Sequence, residues 1–133
     1  MQSSTCKKIQ RNSEQRKVIL EVLTKTKIHP TAKEIYHKVN KKLPDIGIAT
    51  IYRNLDFLEK NKKIIKLKSK NREARYDGIT KKHCHLICKK CGRIIDLMDV
   101  ENILIKSKEL RKSKFKIDPG YAEMFGTCNR CNK

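Results

Sequence analysis

Apolar residues recur at helical spacing through the first half of the chain. Val18, Ile19, Val22 and Leu23 form one stripe and predict a helix over residues 13–26. Asn12 with Gln15 weakly resembles a capping box at its start. His29-Pro30-Thr31 interrupts the pattern. Thr31-x-x-Glu34 is a capping box that opens a second helix, to about residue 41, with Ile35 and Val39 inward. Leu43-Pro44-Asp45 reads as a turn. A third helix starts at Gly47 or its neighbour and runs to about residue 60. Its Ile51, Leu55 and Leu58 fall at i, i+4 and i+7, a single buried stripe. Residues 64–67 and 74–76 read as short strands. Between them lies a polar turn with Lys70 and Arg72. Three helices and a hairpin predict a winged helix, with the basic turn as wing tip. Residues 77–82 read as a linker with Gly78 as its flexible point.

The pattern then shortens. Residues 86–88 and 93–97 predict two strands, residues 100–110 a helix, and residues 114–117 and 121–126 two more strands. Asp118-Pro119-Gly120 splits the last pair. The fold class is therefore α+β. A DNA-binding domain over residues 1–77 precedes a small α/β domain over residues 78–133.

Charge adds a partner. Thirty-three Lys and Arg against fourteen Asp and Glu give a net +19, which favours a polyanion, DNA first. A lysine-rich proteome or a simple solubility role gives the same number. No apolar run approaches membrane-spanning length, and the first twenty residues carry no signal-peptide core. The expectation is a cytoplasmic protein with no membrane contact. In a reducing compartment its six cysteines are metal ligands or free thiols.

Four of them have metal spacing. Cys88-x2-Cys91 and Cys128-x2-Cys131 are two C-x2-C pairs, the pattern of a structural zinc site. Gly92 follows at a tight turn. Cys6 stands apart as a free thiol, without an assigned role. His83 and His85, two apart on a strand, share one face, while Cys84 points the other way. Asp96 lies on the returning strand of the same hairpin, within reach of both. Imidazole and carboxylate donors suit Fe(II), Mn(II) or Zn(II). Two solvated histidines on a basic surface fit the spacing equally. A catalytic zinc would want a glutamate base, and neither H-E-x-x-H nor a nucleophile triad occurs. On the third helix, Ala49, Thr50, Tyr52 and Arg53 form a face suited to the major groove. An ordinary amphipathic surface helix has the same periodicity.

Taken together, the motifs carry a resemblance. His29-Pro30-Thr31-Ala32, Ala49-Thr50-Ile51-Tyr52-Arg53-Asn54-Leu55, Arg75-Tyr76-Asp77, His83-x-His85-x-x-Cys88-x-x-Cys91-Gly92 and Cys128-x-x-Cys131 run in the order of the ferric uptake regulator (Fur) family, over nearly the whole chain. The resemblance implies a homodimeric, metal-dependent transcriptional repressor, not an enzyme, acting on a roughly palindromic double-stranded DNA operator. It implies an N-terminal winged helix and a C-terminal dimerisation domain holding the four-cysteine zinc. It places a regulatory Fe(II) or Mn(II) on His29, Asp77, His83, His85 and Asp96. DNA contacts fall on Ala49, Thr50, Tyr52, Arg53, Lys70 and Arg72. Asp77 resembles the peroxide-sensing (PerR) branch, in which bound Fe(II) leads to oxidation of ligand histidines, here His29 and His83. A further site of several iron- and zinc-sensing members needs a late histidine, and none follows His85. Lys82 and Cys84 also stand where that site would use other residues. Arg53 departs from the peroxide branch and matches many general members. The alternative is an iron-responsive uptake repressor. From a different class, a zinc-stabilised hydrolase or an RNA-binding protein would fit the zinc site alone.

Overall fold

Helix α1 (Ser4–Lys25) starts well ahead of residue 13. Nothing in residues 4–12 stops it. The stretch holds no glycine or proline and is rich in Lys, Gln and Arg, which lose little on entering a helix. Gln15 is therefore an interior residue, not part of a cap. It is buried, and its Oε1 accepts a hydrogen bond from Asn54 Nδ2 at 3.3 Å. In the computed structural model the described residues are 4–26, 28–68, 73–81, 83–99, 106–116 and 122–132.

Helix α2 (Ala32–Asn40) opens on the expected capping box. Thr31 Oγ1 accepts from Glu34 N at 3.3 Å, and Glu34 Oε2 accepts from Thr31 N at 2.8 Å. Helix α3 (Ile48–Lys60) follows Gly47 and buries Ile51, Leu55 and Leu58, as the stripe requires. Strands β1 (Ile65–Lys68) and β2 (Ala74–Asp77) pair antiparallel, Ile65 opposite Asp77. The core joins Ile19 and Leu23 of α1 to Ile35 and Val39 of α2, the α3 stripe, Ile64 and Tyr76. Three helices packed on a two-stranded hairpin form a winged helix. The wing-tip residues Lys70 and Arg72 lie outside the described residues.

The chain divides into two compact units, Met1–Thr80 and Lys81–Lys133. Gly78 lies inside the first. A Cβ there would meet Leu23 C and Cβ at 3.0 Å and Thr24 N at 3.1 Å. Glycine at this position permits close packing against α1, a role different from the expected flexible point.

In the second unit, β3 (Cys84–Cys88) is the central strand. It pairs antiparallel with β4 (Ile94–Leu97) and parallel with β5 (Glu123–Gly126). A parallel partner needs a long crossover. That explains why the chain runs on for more than a helix's length between β4 and β5. The predicted helix over residues 100–110 is corrected in part. Lys106 and Ser107 are not helical, and α4 (Lys108–Ser113) begins later, because Ser107 is its N-cap and accepts from Leu110 N at 3.2 Å. Residues 100–105 lie outside the described residues. The strand expected at residues 114–117 is absent among its described residues. Lys114 is instead the left-handed C-cap of α4, with φ 55°. The Asp118-Pro119-Gly120 turn and Tyr121 lie outside the described residues.

Candidate metal centres

The turn between β3 and β4 carries Cys88 and Cys91. Cys88 N donates to Arg93 O, and Gly92 N to Cys88 O, both at 2.9 Å. Gly92 has φ 75°, so the knuckle needs a residue without a Cβ. Cys128 and Cys131 follow β5 in a similar turn, closed by Cys131 N to Cys128 O at 3.0 Å. The parallel pairing of β5 with β3 carries this second turn to the first. One sulfur from each cysteine lies within 4.8 Å of all the others. Cys91 Sγ and Cys128 Sγ are 3.7 Å apart, and a tetrahedron with Zn–S near 2.3 Å has edges of about 3.8 Å. The donor set fits a structural zinc.

Two of the sulfurs, Cys88 and Cys128, are already prepared for a cation. Backbone N–H groups of Cys128 and Cys91 lower the Cys88 thiol to about 5. The Cys131 N–H lowers that of Cys128. Cys131 is pushed up to about 12, chiefly by its side-chain hydrogen bond with Cys128. Zinc binds thiolates, so it would release the protons that the thiols carry.

Each unit also carries imidazole and carboxylate donors. In the first, His29 sits between α1 and α2 and Asp77 ends β2. His29 Nε2 is 3.6 Å from Asp77 Oδ2, and both side chains are buried. His29 has φ 52°, left-handed for a non-glycine residue. Asp77 Oδ1 accepts from Ile79 N at 2.8 Å.

In the second unit, His85 stands directly opposite Asp96 in the β3–β4 register. His85 Nε2 is 3.4 Å from Asp96 Oδ1, and His83 Nε2 is 3.3 Å from the same oxygen. Both rings are buried, where the sequence left solvated histidines open. His83 Nδ1 lies 2.6 Å from Lys81 O. A carbonyl only accepts, so Nδ1 carries a proton. In the neutral ring Nε2 then presents a lone pair to a carboxylate oxygen. That arrangement is favourable only with a proton on Nε2 or a cation between the atoms, so the donors fit a metal ion. Cys84, between the two histidines, is buried as well, and burial pushes its thiol up.

The α3 face holds Ala49, Tyr52, Arg53 and Asp56 exposed, with Thr50 half-buried. Arg53 Nη2 donates to Thr50 Oγ1 at 3.2 Å. Asn54, named only within a motif, is a buried structural residue. It bridges Gln15 and the Thr50 carbonyl.

Residues 7–124 match the model of the ferric uptake regulator family. The chain belongs to that family. As a Fur-family chain it is a metal-responsive transcriptional regulator, with an N-terminal DNA-binding domain and a C-terminal dimerisation domain. Fur regulators bind DNA operators as dimers and are not enzymes. The peroxide operon regulator of Bacillus subtilis is 32% identical over 119 residues, 90% of this chain and 82% of that protein. Among solved structures, the Campylobacter jejuni peroxide stress regulator superposes with a TM-score of 0.79 at 27% identity, covering 96% of each chain. The Helicobacter pylori ferric uptake regulator Fur gives a TM-score of 0.75 at 31% identity, covering 95% of this chain and 87% of that one. No helix among the described residues of this Fur-family chain is long and apolar enough to cross a membrane.

Proposed function

We propose that this Fur-family regulator is a peroxide-responsive repressor whose DNA binding depends on an ion shared by His29, Asp77, His83, His85 and Asp96. The observation that carries the reading is the convergence of His83 and His85 on one Asp96 oxygen, with the His83 proton fixed on Nδ1 by the Lys81 carbonyl. His29 and Asp77 form a second buried pair. Three donors leave a mid-row metal with open positions and two leave more, so an ion that recruits both groups gains affinity from each. Such an ion would favour one arrangement of the two domains over others. The peroxide regulators of B. subtilis and C. jejuni support this branch.

The residues divide the work. Lys81 O and Asp96 orient the His83 and His85 rings. Burial of His29, His83 and His85 keeps bulk water from the donors. Held there, Fe(II) would supply oxidative chemistry toward peroxide, and Mn(II) would supply far less. His29 and His83 are the rings assigned to be oxidised. Zinc on Cys88, Cys91, Cys128 and Cys131 stays structural. On the operator, Arg53, Tyr52, Thr50 and Ala49 face the groove, while Lys70 and Arg72 contact phosphate. A two-fold dimer implies a roughly palindromic site.

Mass spectrometry after aerobic exposure to Fe(II) tests the oxidation. The expected result is one added oxygen on the peptide holding His29 or His83. Unmodified peptides would leave the iron-responsive uptake repressor as the reading. That second reading draws on Arg53 and on the likeness to H. pylori Fur.

A further inference from the structure

The local sequence works against the conformation in which His29 is held. A non-glycine residue resists positive φ, yet His29 has φ 52°. The residue before a proline is also pushed toward extended backbone, and Pro30 follows. Something outside the segment must hold it. Strand β2 does so at three points. Thr31 makes an isolated antiparallel bridge with Arg75. Tyr76 N donates to Pro30 O at 3.0 Å. Arg75 Nη1 donates to His29 O, also at 3.0 Å.

The first two contacts belong to the backbone, and any side chain would allow them. The third is a side-chain bond to the carbonyl of His29 itself. Arg75 and Asp77 are two apart on β2 and so share a face. His29 is thus held twice from one strand face, at its carbonyl by Arg75 and beside its imidazole by Asp77. The arrangement has a cost. Arg75 Nε is buried without a hydrogen-bond partner, and a buried unsatisfied donor wants a reason. A guanidinium locked where it can reach one carbonyl supplies that reason.

We propose that Arg75 is a positioning residue for the His29–Asp77 pair: its guanidinium holds His29 in the left-handed conformation, so that Nε2 faces Asp77 before a metal ion arrives. The inference rests on the reading of His29 as a ligand. Arg75 touches no metal. It acts through His29 by removing a backbone rearrangement from the binding step.

The test is a titration with Co(II) alone, followed by its absorption spectrum, on full-length zinc-replete protein. The variants are Arg75→Ala, Arg75→Lys, His29→Ala and the double variant His29→Ala/Arg75→Ala. Loss of a residue that orients a ligand costs on the order of 10–100-fold in metal affinity. Arg75→Ala is expected to weaken Co(II) binding by that factor while reaching the wild-type spectrum at saturation, because the donors are unchanged. Arg75→Lys, which retains a donor, is expected to recover part of the loss. In the His29→Ala background, Arg75→Ala is expected to add nothing, since the two residues act as one unit. If His29→Ala weakens binding and neither Arg75 variant does, the positioning role is wrong and His29 remains a ligand. An equal further loss in the double variant, or loss of zinc from Arg75→Ala, would assign Arg75 to general stability and overturn the proposal. If His29→Ala binds Co(II) like wild type, the ligand reading fails and takes this inference with it.

Discussion

The Lys81 carbonyl decides what His83 can do. By accepting a hydrogen bond from Nδ1–H it leaves the Nε2 lone pair turned toward Asp96, 3.3 Å away. This tautomer was not legible in the sequence, because Lys81 is two residues away in a segment without periodicity. The shared face of His83 and His85 was legible, since strand geometry alone gives it. The left-handed His29 was not, because its neighbours argue for extended backbone and only contacts from β2 reverse them. Gly78 read as a hinge and is instead a close approach to α1. Gly78→Ala should therefore destabilise the first domain by about 1–3 kcal/mol through overpacking, visible as a lower urea midpoint with an unchanged slope. A midpoint equal to wild type would show that α1 shifts to make room. On α3, Arg53→Ala should weaken operator binding by about 1–3 kcal/mol more than binding to random duplex, if it reads a base. Equal losses on the two duplexes would reduce it to a phosphate contact.

At the scale of elements, α2 and α3 were legible because local signals agree. A capping box starts α2, and one apolar stripe runs through α3. Thr31→Ala should remove a side-chain bond to Glu34 N and cost about 0.5–2 kcal/mol, measured by thermal unfolding of the zinc-loaded protein. No loss would mean that the backbone contacts with β2 hold the start of α2 alone. The beginning of α1 lies ahead of the apolar stripe that marked the helix, and α4 was displaced by a single serine cap. The parallel β3–β5 pairing is long-range, so no turn residue announces it. It is nonetheless what delivers Cys128 and Cys131 to Cys88 and Cys91. Cys131→Ser should lose the zinc, about one per chain by elemental analysis, and release β5 with it. Full zinc retention would contradict the four-sulfur site.

For the whole molecule, the domains carry different parts of one task. The first holds the α3 face and His29 with Asp77. The second holds the zinc cluster and the His83, His85 and Asp96 donors. If two domain arrangements differ by a few kcal/mol, an ion with ~100-fold preference for one adds about 2.7 kcal/mol of bias. That bias is of the size needed to move operator binding from weak to strong. Ring oxidation at His29 or His83 would remove a donor and with it much of the bias. The most direct test is fluorescence anisotropy on an operator duplex, with protein loaded with Fe(II) or with Mn(II), before and after hydrogen peroxide. Tight binding is expected with either metal. Peroxide should then cause irreversible release of DNA from the Fe(II) form and leave the Mn(II) form bound. An identical response of the two forms to peroxide would contradict peroxide sensing through the bound iron.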